Sequence, residues 1–236
     1  MPDLAVALPT TDLEEAFLGV VDVEGKLTAA LEDLGPVACR DVVLLDAGRG
    51  FLERNLAEIG ARVTAVTFAD PKDVPAALAR LAELPVGEAD VVIAPWSELA
   101  VPGSDFLIAA ERLLRPGGRL LLVHDYGRDD VWCLKPDLRA RLVDWSHRRG
   151  PFLGAGYRIR VIHCWWTFES PERAREMLTA GFGELGVELA DAMKRPRLEY
   201  QVAIYHRSTP MPSSEQDEDA DVAGIAGIAG VAGALG

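Results

Sequence analysis

"VLLDAGRGFLERNLAEIGARVTAV", residues 43–66, decides how the rest of the chain is read. It opens with a short Val- and Leu-rich run, too short for a helix, that fits a strand buried on both faces. A turn with two close glycines, Gly48 and Gly50, follows. Leu52, Leu56 and Ile59 then fall at i, i+4 and i+7, the apolar stripe of a helix, and Gly60 sits where a helix-ending glycine belongs. "RVTAVTF" is the next strand. A strand, glycine turn, helix and strand make the first unit of a parallel sheet.

Working outward, the unit repeats. Residues 11–34 read as one or two helices, capped at Thr11 or Asp12 and stopped at Gly35-Pro36. "DPKDVPAALARLAEL" predicts a short helix weakened by Pro75, and "ADVVIAPW" a buried strand. "GSDFLIAAERLLRPGG" predicts a helix with Ser104 as cap, Leu107, Ala110 and Leu114 inward, Arg112 and Arg115 in its last turn, and a stop at Pro116. "RLLLVHDYG" is a strand that delivers His124, Asp125 and Tyr126 at its carboxyl end. Further on come a strand, "YRIRVIHCWWTF", a helix with Ser170 as cap and Pro171 in first position, and a strand, "RLEYQVAIYHR". A helix between two strands after a parallel core predicts an antiparallel edge. The fold class expected is α/β, a mostly parallel Rossmann-like sheet with helices on both faces. Ligands of such sheets sit beyond the carboxyl ends of the strands.

Composition narrows the options. Of 236 residues, 49% are apolar, which suits a packed domain, and no apolar run is long enough for a membrane span. The N-terminus lacks the basic-then-apolar pattern of a secretory signal, and Cys39, Cys133 and Cys164 show no metal-ligand spacing. The expectation is therefore a cytoplasmic protein with reduced thiols and no metal. Charge is unevenly spread. Residues 1–111 sum to -13, residues 112–208 to +5, and residues 209–236 to -5. An acidic chain argues against a nucleic-acid coat, although the basic middle could attract an anion. Three regions follow: an N-terminal helical lid (1–41), the α/β domain (42–208), and a tail (209–236) expected to be disordered, acidic and then a Gly/Ala-rich repeat. The oligomeric state is not readable.

Residues 42–126 resemble the core of the class I S-adenosylmethionine-dependent methyltransferases. "VVLLDAGRG" (42–50) resembles that family's first motif, "ADVVIAPWSEL" (89–99) its fourth strand, and "AERLLRPGGRLLLVHDYG" (110–127) the helix, Pro-Gly-Gly turn and fifth strand of many members. The resemblance implies S-adenosylmethionine as cofactor; the acceptor expected is a small molecule, and charge and hydropathy argue against a nucleic-acid or membrane partner. It assigns Asp46, Ala47, Gly48 and Gly50 to the cofactor's amino-acid end, Thr67 and Phe68 to the ribose region, and Ala94, Pro95 and Trp96 to the space beside the reacting methyl. Pro95-Trp96 is similar to part of a Pro-Pro-aromatic motif that holds amines in some members. His124 is the candidate base, with Asp125 or Asp129 to orient it and Tyr126 beside it.

The chain departs from the family in three places. Leu52 stands where many members have a further glycine. Thr67 stands where an acid holds both ribose hydroxyls, an exchange worth about 1.5–3 kcal/mol, with Asp70 as a substitute if the turn folds back. Only 23 positions separate Thr67 from Asp90, so the family's third strand is expected short or missing. These departures favour the alternative function, a methyltransferase-like domain that has lost catalysis and binds a ligand or a partner protein. In "HCWWTF" (163–168), Trp165 and Trp166 face opposite sides, one for the core and one for a pocket, with Arg148, Arg149, Arg158 and Arg160 nearby for a carboxylate or phosphate.

Overall fold

The computed structural model describes residues 8–45, 50–68, 73–134 and 139–211. Helices α1 (Thr11–Leu18) and α2 (Lys26–Leu34) come first. The cap of α1 is Thr10, one residue before the expected position, and its hydroxyl accepts from the Leu13 amide at 3.3 Å. Gly25, at the start of α2, has no side chain to cap with. Asp22 does this instead, accepting from the Lys26 and Leu27 amides at 2.9 and 2.7 Å. Then follow β1 (Asp41–Leu45), α3 (Phe51–Glu58), β2 (Arg62–Val66), α4 (Val74–Ala82), β3 (Ala89–Pro95), α5 (Asp105–Glu111) and β4 (Leu114–Asp125). A 3-10 turn (Val131–Leu134), α6 (Arg139–Trp145), α7 (Pro151–Gly154), β5 (Arg158–Thr167), α8 (Pro171–Ala192) and β6 (Arg197–Ser208) complete the order.

The six strands form one sheet in the order β2-β1-β3-β4-β6-β5. The first four are parallel, and β6 runs antiparallel to both β4 and β5. This is the Rossmann-like sheet with an antiparallel edge that the sequence predicts. Among the described residues no strand stands between β2 and β3 in the chain, so β2 is the sheet edge. Its Arg62, Thr64 and Ala65 are exposed, unusual for a parallel strand.

Strand alternation sorts the core into two layers. Val42, Leu44, Val91, Ile93, Leu121, Val123, Val202 and Ile204 face α1, α2, α3 and α8. Leu45, Val92, Ala94, Leu120, Leu122, Ala203 and Tyr205 face α4, α5, α6 and α7. A fully buried side chain of the size of Leu44 or Ile93 contributes about 1.5–3 kcal/mol. Each layer has an aromatic centre. In the first, Phe17 meets Trp166 edge-on at 5.2 Å and Phe182 at 5.7 Å. In the second, Phe152 stacks on Tyr205 at 4.1 Å.

Three local expectations need correction. The helix expected to run to Pro116 stops at Glu111, and Leu114 and Arg115 already belong to β4. The Leu114–Ala89 pairing and the later Arg119–Val91 pairing differ in register, so Pro116 to Gly118 lie in the irregular part of the strand, where a missing amide is tolerated. Pro75 does not weaken α4, because it occupies the first turn, where its lost N–H has no intrahelical acceptor. The C-terminal helix is also not continuous: Gly183, at φ 58° and ψ −130°, breaks α8 into two halves. Ser104 and Ser170 cap their helices as expected, and Gly60 closes α3, with the Ala61 amide reaching the Leu56 carbonyl.

Candidate functional site

The register aligns Val66 with Leu45, Leu44 with Ile93, and Pro95 with Val123. The carboxyl ends of β2, β1, β3 and β4 therefore form one rim. Most of the predicted site residues stand on that rim. Asp46, Ala47 and Gly48 lie outside the described residues, as does Asp70. Gly50 precedes α3 at φ 79°, the left-handed region that favours glycine. Gly50 has no side chain with which to cap α3. The Glu53 carboxylate and the Arg54 guanidinium crowd around Gly50, within 3.4 and 3.7 Å of where a Cβ would stand. Thr67 is exposed just past β2, and Phe68 packs edge-on against Phe106 at 5.5 Å.

The ends of β3 and β4 meet more closely. Trp96 has φ 47°, a left-handed conformation that a bulky side chain rarely adopts. It is held there from both sides. Its amide donates to the Val123 carbonyl at 2.6 Å, and its indole Nε1 donates to Asp125 Oδ1 at 3.0 Å. The Tyr200 hydroxyl donates to the same Asp125 oxygen at 2.7 Å. Burial and the neighbouring Asp125 hold the Tyr200 phenol well above its ordinary pKa, so it stays a donor. Ser97, the next residue after Trp96, is fully buried, and its hydroxyl has no hydrogen-bond partner among the described residues. Strain of this kind persists where the surroundings enforce it, and it concentrates at functional sites.

His124 and Asp125 do not work together. They are consecutive on β4, so alternation sends them to opposite layers. Asp125 joins Trp96 and Tyr200 on the first. His124 enters the second, with Trp145 at 4.6 Å, Phe152 at 5.5 Å and Tyr205 at 6.3 Å, and is only 3% exposed. Desolvation lowers its pKa to about 3. A ring enclosed this way is a poor base near neutral pH, so the catalytic role expected for it is not carried forward. Asp129 caps the 3-10 turn, accepting from the Trp132 amide at 3.0 Å, and also accepts from the Gln201 amide at 2.8 Å. Tyr126 is half-buried, with the Arg128 guanidinium 4.9 Å from its ring centre. Trp166 packs in the core, while half-buried Trp165 carries Arg197 over its ring at 4.3 Å. Arg148 and Arg149 lie beyond α6, apart from Arg158 and Arg160 on β5.

Sequence reading missed Tyr200 and Ser97. Tyr200 could have been found, because it shares the alternation of Val202 and Ile204 and so falls on the Asp125 side. Ser97 carries no comparable signal. Among the described residues no group of three or more His, Cys, Asp or Glu side chains could hold a metal. No helix among them is long and apolar enough to cross a membrane.

No protein-family model and no curated protein matches the chain. Similar solved structures include a provisionally assigned type II methyltransferase from Anaeromyxobacter dehalogenans, at 20% identity, covering 77% of this chain and 96% of that one, with a TM-score of 0.48. Another is geranyl diphosphate C-methyltransferase from Streptomyces coelicolor, solved with Mg2+, geranyl diphosphate and S-adenosyl-L-homocysteine, at 14% identity, 78% of each chain and a TM-score of 0.43. A third is the YcgJ protein from Bacillus subtilis, at 15% identity, 80% and 100% coverage, and a TM-score of 0.41. At such identities the likeness is one of fold.

Proposed function

We propose that the chain is an S-adenosylmethionine-dependent methyltransferase acting on a small-molecule acceptor. The observation that carries the reading is the rim at the carboxyl ends of β3 and β4. A strained Trp96 is pinned there by Asp125 and Tyr200, beside a buried Ser97 hydroxyl without a partner. The motifs at 42–50, 89–99 and 110–127, which resemble the family's cofactor-binding segments, support assigning the cofactor to this same rim.

The donor set suits the cofactor. In this reading the start of α3, entered through Gly50 rather than through a capping side chain, faces the cofactor's carboxylate, with Asp46, Ala47 and Gly48 just before it in the sequence. The Thr67 hydroxyl can make one hydrogen bond to a ribose, and Phe68 offers an apolar wall. S-adenosylmethionine, when bound, supplies a methyl already activated on a sulfonium. The protein's part is then mostly placement. Ala94, Pro95 and Trp96 form the wall beside the transferred group, and Trp96 orients the acceptor. Asp125 is a positioning residue: it fixes the indole of Trp96 while Tyr200 fixes Asp125.

The test is calorimetric titration of the purified protein with S-adenosylmethionine and S-adenosylhomocysteine. Micromolar binding, weakened at least tenfold by Gly48→Arg, is expected. No heat at millimolar ligand would leave a methyltransferase-like domain that has lost the cofactor.

A further inference from the structure

The lower half of the β4–β6–β5 edge carries an unusual cluster of positive charge. Cross-strand register puts His206 opposite Arg158, Ser208 opposite Arg119, and Ile204 opposite Arg160. Residues directly opposite, and those two apart, point to the same face. Arg119, Arg158, Arg160 and His206 thus share the face that also carries Leu121 and Ile204. Arg158 and Arg160 are exposed and Arg119 is half-buried. Among the described residues none of these three guanidinium groups has an ion-pair partner. Arg119 donates only to the Ser208 hydroxyl, at 2.6 Å. The neighbouring Arg207 points to the other face, where it pairs with Glu111. In a chain of net charge -13, three unpaired arginines on one small face call for a partner.

The described chain leaves from this same place. After Ser208, the Thr209 amide donates to the Gly118 carbonyl at 2.9 Å, and the Thr209 hydroxyl donates to the Arg115 carbonyl at 2.8 Å. Met211 lies against Gly117, two positions from Arg119. Beyond it, residues 212–221 read "PSSEQDEDAD", with five acids and no base. Four residues from Met211 to Glu215 reach up to about 14 Å. Three adjacent strands span about 10 Å, so every arginine of the cluster is within range.

We infer that the acidic stretch Glu215–Asp221 docks on the basic face formed by Arg119, Arg158, Arg160 and His206 of its own chain. Two features carry the assignment: opposite charge, and an exit point that tethers the acids beside the arginines. Individual exposed ion pairs are weak, so the tether's high effective concentration holds the segment in place. Salt at several tenths molar should release it.

His206 reports on the face directly, since burial and then the charges of Arg119, Arg158 and Arg160 lower its pKa. NMR titration of His206 compares the full chain with a full-length variant in which Glu215 and Glu218 become Gln and Asp217, Asp219 and Asp221 become Asn. Docking predicts a His206 pKa higher by at least about half a unit in the native chain. The difference should vanish at about 0.5 M salt and be unaffected by tenfold dilution. Equal pKa values in the two chains would overturn the proposal. So would a difference that disappears on dilution, which would place the tail on a second copy. If the two chains titrate alike but inorganic phosphate raises the His206 pKa in both, the face takes small anions and the proposal also fails. The Arg158→Gln, Arg160→Gln double variant checks the face from its own side, because it should shrink the tail-dependent difference without touching the core.

Discussion

The two ends of the parallel sheet are built differently. At the amino ends, charges are paired, around a Cys39 that also has a positive φ, 60°. Arg62 grips Asp41 with two hydrogen bonds of 2.7 and 2.8 Å and also donates to the Cys39 carbonyl. Arg62 thereby holds the Asp41 carboxyl below its ordinary pKa. Asp90 accepts from the Asp41 amide and pairs with Arg115 at 2.9 Å. At the carboxyl ends, Trp96 is strained, the Ser97 hydroxyl is unpartnered, and His124 is neutral in an aromatic enclosure. One end fastens the strands. The other holds groups in states that cost stability, as expected where a ligand is handled.

The comparison can be broken most sharply at Asp125. Asp125→Ala leaves the half-buried Trp96 indole and the buried Tyr200 hydroxyl without their acceptor, at about 1–3 kcal/mol for the buried Tyr200 donor and less for the indole. Urea denaturation should show the loss, and any methyl transfer should fall with it. Asp125→Asn keeps an acceptor oxygen and should recover much of the stability.

His124 gives a pH test. Unfolded, it takes up a proton near pH 6.5; folded, only near pH 3. Between those values the unfolded chain holds the extra proton. Stability therefore falls as pH drops from about 6.5 towards 3, by up to about 1.4 kcal/mol per unit. In His124→Phe this contribution is gone. The difference in stability between wild type and variant should change over that interval and stay constant above pH 7.

At the amino ends, packing should outweigh charge. A Cβ at Gly118 would stand 2.9 Å from the Arg115 carbonyl oxygen and 3.1 Å from that of Asp90, so Gly118→Ala should cost about 1–3 kcal/mol. The exposed Arg62–Asp41 pair is the smallest case. Arg62→Ala should cost less than Gly118→Ala, and less still in high salt. A larger loss at Arg62 than at Gly118 would mean that ion pairs rather than packing fasten this end.

Much of the fold was legible because buried strands leave short apolar runs and helix ends leave caps. The 23 positions from Thr67 to Asp90 announced a short or missing strand, and among the described residues β2 is the edge. The limit of α5 was not legible: Leu113 and Leu114 suit either a helix face or a strand, and only pairing with Ala89 decides. The candidate site was legible as a set of strand ends but not as a geometry. Reading "HDY" as one cluster overlooked the alternation that parts His124 from Asp125. Tyr200, 75 positions from Asp125, meets it only through the β4–β6 pairing.

The central claim is that the carboxyl rim is the cofactor end. Mapping backbone amide NMR shifts during titration with S-adenosylhomocysteine tests it most directly. The account predicts shifts concentrated at Gly50, Thr67, Phe68, Trp96, Ser97 and Asp125, with Arg62, Asp90 and Arg115 unmoved. Shifts gathered instead in the roughly 670 Å³ groove between α2 and α3, around Thr28, Asn55 and Ile59, would contradict it.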